Sequence, residues 1–302
     1  MPMSWRVVTV SSNAKLDYKM GYLVVRTAES AKRIHLSEIS VLLIESTAVA
    51  LTAYLLCELS KEKVAVIFCD EKRCPIGSFV PYYGSHDTSL KLKNQTQWDK
   101  DVKAFVWAEI VRAKIRGQIA VLEENGRDGA ALLKGYLTEI QPADTTNREG
   151  HAAKVYFNAL FGMDFSRSQD CNTNAALNYG YSILLSAFCR EIVANGYITQ
   201  LGIFHDNMFN PYNLACDLME PFRPFIDHAV CKSDLSVFEH AQKMELVKTL
   251  NRTVLIGGKK QYMLNAMKIY TRSIFEAMNE HDISLIDFPH YELQIYENDR
   301  LL

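Results

Sequence analysis

Glu149, His205 and Glu220 are residues whose types could together hold a divalent cation. Two carboxylates and an imidazole leave positions open for the oxygens of a phosphate. Oxygen donors favour Mg²⁺ or Mn²⁺, and the imidazole tilts the choice toward Mn²⁺. Each residue also has a plainer explanation. Glu149 follows Thr146 by three positions, the spacing of a capping box at a helix start. Gly150 beside it costs about 1 kcal/mol in a helix and suits the close approach of something bulky, such as a backbone phosphate. His205 lies among apolar residues after the Asn195-Gly196 helix stop, where a satisfied core histidine is the plainer reading. Asp206 or Asn207 could orient its ring or cap the next helix. Asp217 and Glu220 share a helix face at i, i+3. Pro221 and Pro224 then end one helix near Glu220 and open another. That expectation leaves Glu220 at a rigid, exposed corner and Asp217 either beside it or as a surface acid.

The elements that must position these residues fall into two kinds. The first ~80 residues alternate and are β-branched, which predicts strands at Trp5–Val10, Gly21–Thr27, Val41–Glu45, Val64–Cys69 and Ser78–Tyr83. Ser11–Lys19 reads as a hairpin-like turn. A helix over Ala48–Lys61 follows from Leu51, Leu55 and Leu59. Residues 84–97 are polar and read as a linker. From Trp98 the period changes to 3.6, with helices over Trp98–Gly117 and Leu132–Ile140. On helical spacing, Leu177, Tyr181, Leu184, Leu185, Phe188 and Ile192 form a packing stripe. The expected class is α+β: a small β-rich N-terminal domain (1–83), the linker (84–97) and a larger all-helical catalytic domain (98–302).

Composition excludes several classes. With 48% hydrophobic and 23% charged residues the chain is that of a folded protein. No apolar run reaches the ~18 residues of a membrane helix, and no secretory signal is seen at the N-terminus, so a cytoplasmic location is expected. The seven cysteines form no zinc-type pair. Net charge is −2, yet six basic and no acidic residues lie between Lys248 and Arg272. A smaller basic band spans Lys91–Arg116, and Glu276–Leu302 is acidic. Such asymmetry suits either a phosphate-facing surface or a solvated helix face.

Taken together, Glu149-Gly150-His151-Ala152-Ala153 with Tyr156-Phe157, Asn174 through Leu177-Asn178-Tyr179-Gly180-Tyr181, His205, and Asp217-Leu218-Met219-Glu220-Pro221-Phe222-Arg223-Pro224 resemble the motif series of the CRISPR-associated spacer-acquisition integrases. The resemblance covers essentially the whole chain. It implies that Glu149, His205 and Glu220 hold one metal ion, with Glu220 where many relatives carry Asp, and that Asp217 matches a second family acid. It further implies a homodimer joined by a small companion protein, acting on double-stranded DNA, the captured fragment and the repeat array. The reaction would be transesterification by a 3′-hydroxyl. Arg223 is the expected phosphate contact near the metal, with Arg252, Lys259 and Lys260 as further DNA-binding residues. A structure-specific metal-dependent DNase and a non-catalytic DNA-binding scaffold are the competing readings.

Overall fold

The computed structural model describes residues 6–79 and 85–291. Trp5 and residues 80–83, which were expected to begin one strand and end another, lie outside them. The N-terminal part holds β1 (Arg6–Val10), β2 (Ala14–Lys19), β3 (Tyr22–Arg26), β4 (Ala31–His35), β5 (Ile39–Ile44), β6 (Val49–Leu51), α1 (Ala53–Lys61), β7 (Ala65–Cys69) and β8 (Pro75–Phe79). They form two four-stranded sheets, β1-β5-β7-β8 and β4-β3-β2-β6. In the first, β1, β5 and β7 are parallel and β8 is antiparallel.

β5 is buried along its whole length, and its two faces serve different cores. Leu42 and Ile44 pack with Leu16, Leu23, Leu55 and Leu59 between the strands and α1. Val41 and Leu43 instead join the helical core, as do Ala65 and Ile67 of β7. This explains the unbroken apolar run Ile39–Ile44, since a strand covered on both faces need not alternate.

Three local expectations are corrected. Ala14–Lys19 is a strand, with Ala14 and Leu16 turned inward. The hairpin turn is Met20-Gly21, where both residues take positive φ, as a two-residue turn between twisted strands requires. Leu51 belongs to β6, because Thr52 caps α1 by accepting from the Leu55 amide. The polar stretch read as a linker contains a helix, α2 (Thr88–Thr96), tied down by Gln95, which donates to the carbonyls of Ile198 and Leu201.

The remainder comprises α3 (Lys100–Glu124), α4 (Ala130–Leu137), α5 (Arg148–Phe161), α6 (Asn172–Ala194), α7 (Asn213–Met219), α8 (Arg223–Lys232), α9 (His240–Lys248), a hairpin β9 (Thr253–Ile256) and β10 (Lys259–Tyr262), and α10 (Met263–Glu280). The hairpin corrects the all-helical expectation. Gly257 and Gly258 take positive φ and close it after the short apolar run Val254–Ile256. α3 is the spine, apolar around most of its surface and packed by α4, α5, α8 and α10. Among the described residues no helix is long and apolar enough to cross a membrane.

α6 and α8 approach closely where Gly180 faces Ile226, whose Cδ1 lies 3.3 Å from the position a methyl would take. Gly180→Ala would gain about 1 kcal/mol of helix propensity, and overpacking costs about 1–3 kcal/mol. The expected result is a lowered urea midpoint; a raised one would show that the two helices separate freely.

Candidate active site

Glu149 stands in the first turn of α5, and the chain enters that helix through an irregular path. Ala143, Asp144 and Asn147 all take left-handed backbone conformations. The Asp144 carboxylate accepts from the amides of Arg148 and Glu149, both at 2.9 Å. The helix start is thus capped by Asp144. The expected capping box is absent: Thr146 donates instead to the Glu139 carbonyl. Gly150 has a local reason, because a methyl there would meet the Asn147 side-chain oxygen at 2.7 Å. Relieved of capping, the Glu149 carboxylate turns to α3.

There it meets Lys114. The Lys114 Nζ lies 2.6 Å from Glu149 Oε1 and 2.5 Å from Glu220 Oε2. The two carboxylate oxygens are therefore at most 5.1 Å apart. The Lys114 side chain is only 7% exposed. Its pKa is nonetheless raised: burial acts to lower it, but Glu220 and Glu149 together outweigh that and hold the ammonium charged. In return the Lys114 charge holds the Glu149 carboxyl below its usual range, against the opposing effect of burial.

Glu220 opens a 3-10 turn, Glu220–Phe222, between α7 and α8, so the chain breaks where Pro221 and Pro224 require it. The expectation of an exposed corner is overturned, since Glu220 is 2% exposed. Its second oxygen faces Arg223 at 3.1 Å. The Arg223 guanidinium lies 4.7 Å over the Tyr181 ring, and the Tyr181 hydroxyl donates to Asp227. Burial pushes Asp227 up to about 6. Tyr181 is thus more than a member of a packing stripe.

Asp217 is fully buried, which removes the surface-acid reading. Its carboxylate accepts from the backbone amides of Ile203, Phe204 and His205 and lies 2.6 Å from His205 Nδ1. Asp217, and not Asp206 or Asn207, therefore orients the imidazole. Nδ1 is committed to this contact, which leaves Nε2 as the nitrogen able to ligate. The loop reaches Asp217 because residue 202 is glycine: a Cβ there would lie 2.7 Å from Asp217 Oδ2. Trp107 supports the other side, stacked on Phe204 at 4.4 Å and edge-on to His205 at 5.7 Å. The hydrogen bond to Asp217 raises the His205 pKa above 6.5 despite desolvation, and the charges of Glu220 and Glu149 act in the same direction.

Glu149, Glu220 and His205 thus lie within electrostatic reach of one another. Among the described residues, however, no three His, Cys, Asp or Glu side chains close to metal-ligating distance. The two glutamates close on an ammonium instead. Of the residues expected to meet DNA, Arg223 is turned onto Glu220, while Arg252, Lys259 and Lys260 are exposed on and before the β9–β10 hairpin. Arg252 acts electrostatically on Glu124-paired His228. Glu124 lies ten residues beyond Lys114, about 15 Å along α3. Lys100, Lys103, Trp107 and Phe204 line a hollow beside His205.

Sequence reasoning missed Lys114, Asp144 and Gly202. Lys114 was legible only as one cation in the Lys91–Arg116 band. The signal that marks it is a charge between Val111 and Ile115, on a helix whose neighbouring positions are buried.

Residues 7–234 match the family model described as CRISPR associated protein Cas1. The chain is 35% identical to the CRISPR-associated endonuclease Cas1 of Neisseria meningitidis serogroup C (strain 8013), over 95% of this chain and 96% of that protein. In fold it is similar to a casposase bound to integration product, with TM-score 0.75 and 18% identity over 92% of each chain. It is also similar to a chain of a Cas6-RT-Cas1–Cas2 complex, with TM-score 0.69 and 16% identity over 94% of this chain and 36% of that one.

Because folding raises the His205 pKa, its pair with Asp217 stabilises the protein fully below the ordinary imidazole value. That contribution fades as pH rises through the folded-state value. NMR titration of the metal-free protein is expected to place His205 above 6.5, and Asp217→Asn should bring it down. An unchanged midpoint in the variant would remove Asp217 as the cause.

Proposed function

The chain belongs to the CRISPR-associated Cas1 family, and from that membership we propose that it is a divalent-metal-dependent DNA endonuclease and integrase. It joins the 3′-hydroxyl of a captured double-stranded fragment to a phosphodiester of a repeat array. The observation that carries this reading is the convergence of Glu149 and Glu220 on one buried cation, beside an imidazole oriented by Asp217.

The donor set fits a divalent ion. Two carboxylates already share a positive charge, and His205 keeps Nε2 for a ligand. Glu149, Glu220 and His205 Nε2 would hold Mg²⁺ or Mn²⁺, which when bound supplies Lewis-acid stabilisation of charge on the phosphate and the leaving oxygen. Asp217 keeps the imidazole in the tautomer whose free nitrogen faces away from it. Arg223 balances Glu220 and, stacked on Tyr181, stands beside the acid pair as the nearest guanidinium for a phosphate. Lys100 and Lys103, with the Trp107–Phe204 stack, offer charge and flat apolar surface to an approaching strand. Arg252, Lys259 and Lys260 extend the basic surface for sequence-independent contact. The joining reaction exchanges one phosphodiester for another: the 3′-oxygen attacks, and the repeat's own 3′-oxygen leaves. With water as nucleophile the same arrangement cuts DNA, which accords with the endonuclease name of the Neisseria relative.

Assembly as a homodimer with a small companion protein belongs to the same proposal. It is supported by the likeness to a chain of a complex named for Cas1 and Cas2. The scaffold alternative had Glu149 capping its helix and Glu220 ending another; Asp144 takes the cap in place of Glu149, and Glu220, which does end α7, is buried against Lys114.

Strand transfer of a 3′-hydroxyl duplex into supercoiled plasmid with Mn²⁺ or Mg²⁺ tests the proposal, with and without the companion protein. Glu149→Ala, His205→Ala and Glu220→Ala are each expected to lose at least about a hundredfold in joining. Duplex affinity should stay within about threefold, because most phosphate contacts lie elsewhere. Full joining by Glu149→Ala would refute the site, and cut products without joined ones would favour a DNase.

A further inference from the structure

Lys114 has no role in the ligand set, yet it stands between two of its members. It projects from the long helix α3 at a point where flanking Ala113 and Ile115 are apolar and buried. An ammonium there would be unfavourable without anions around it, and two carboxylates this close would repel without a cation between them. Each therefore depends on the other. The arithmetic of charge is equally constrained. Glu149 and Glu220 carry two negative charges, and Lys114 and Arg223 carry two positive ones in contact with them. These four charges cancel, and the further carboxylate of Asp217 is committed to His205 and three backbone amides. A divalent ion added to the cluster would leave an excess positive charge in a poorly solvated site, unless a cation withdrew or an anion entered.

We propose that Lys114 is a built-in counter-cation that holds Glu149 and Glu220 together in the metal-free protein and competes with the divalent ion for them. Metal loading requires Nζ to release at least one carboxylate. A DNA phosphate entering the site offers the displaced ammonium a new anion and restores the charge balance, so metal and DNA favour each other's binding. This inference rests on the assignment of Glu149 and Glu220 as metal ligands. Lys114 is accordingly a positioning residue in the metal-free state, and its effect is read in metal affinity and stability as well as in turnover.

Mn²⁺ binding to the full chain, followed by the electron paramagnetic resonance of free Mn²⁺, is the direct test. Lys114→Met removes the charge but keeps an unbranched apolar stem, and should bind Mn²⁺ at least about tenfold more tightly than wild type. Its metal-free melting temperature should fall, and the rise on adding Mn²⁺ should exceed that of wild type. Lys114→Arg keeps the charge and should remain within about threefold of wild-type affinity. If Lys114→Met binds Mn²⁺ no better than wild type while Glu149→Gln weakens binding, the competition is refuted and the ligand assignment stands. If Glu149→Gln binds Mn²⁺ as wild type does, the ligand assignment itself fails. Should Lys114→Met not fold, wild-type crystals grown with and without Mn²⁺ decide the matter. The proposal requires Nζ to leave hydrogen-bonding distance of at least one glutamate when Mn²⁺ is bound, and an ion bound beside an unmoved Lys114 overturns it.

Discussion

Two ionised carboxylates in a poorly hydrated site repel unless a cation stands between them. Glu149 and Glu220 come from the start of α5 and the turn after α7, and they meet across α3 with Lys114 between them. Arg223 repeats the device on the outer oxygen of Glu220. The long helix is thus a source of charge as well as an apolar spine. Its burial of an ammonium is tolerable because the acids are there, and the acids can lie close because the ammonium is.

Of the candidate ligands, His205 lies on a loop, Glu220 on a 3-10 turn and Glu149 in the first turn of α5, while the long helices carry the packing. Backbone amides do much of the orienting. Asp144 takes two of them at the entrance to α5, which releases Glu149 from capping. Asp217 takes three from the loop bearing His205 and approaches Nδ1 as well. Left-handed backbone is concentrated at Ala143, Asp144 and Asn147, just where the path into α5 must turn sharply. Gly202 serves the same end at the other side of the site by letting the loop lie against Asp217.

Much of the fold was legible because periodicity reports burial. The change from alternating to helical spacing near Trp98 marks where α3 begins, and Pro221 and Pro224 mark the break between α7 and α8. Misreadings arose where a local signal had two outcomes. Leu51 continues a helical spacing with Leu55 and Leu59, yet Thr52 caps the helix after it. Ser11–Lys19 is polar enough for a turn, but Ala14 and Leu16 face a core formed by strands far along the chain. The polar stretch before Trp98 becomes α2 because Gln95 finds carbonyls at Ile198 and Leu201, partners that local propensity cannot see. The hairpin at Thr253–Tyr262 is short, and its glycines read equally well as a helix-to-helix turn.

The candidate ligands Glu149, His205 and Glu220 were recognisable from residue type and motif order, since ligand chemistry belongs to the side chain itself. Their surroundings were not. Whether Glu149 capped a helix or faced a cation depended on Asp144 taking the amides first. Whether Glu220 stood exposed or buried depended on how the turn after α7 packs on α3. That Asp217 holds His205, and that Lys114 stands between the two glutamates, follows from contacts between residues distant in the chain. Residue chemistry and local periodicity are written in neighbouring letters of the sequence. Charge balance in a buried site is set by which segments meet in space, and only the tertiary structure decides that.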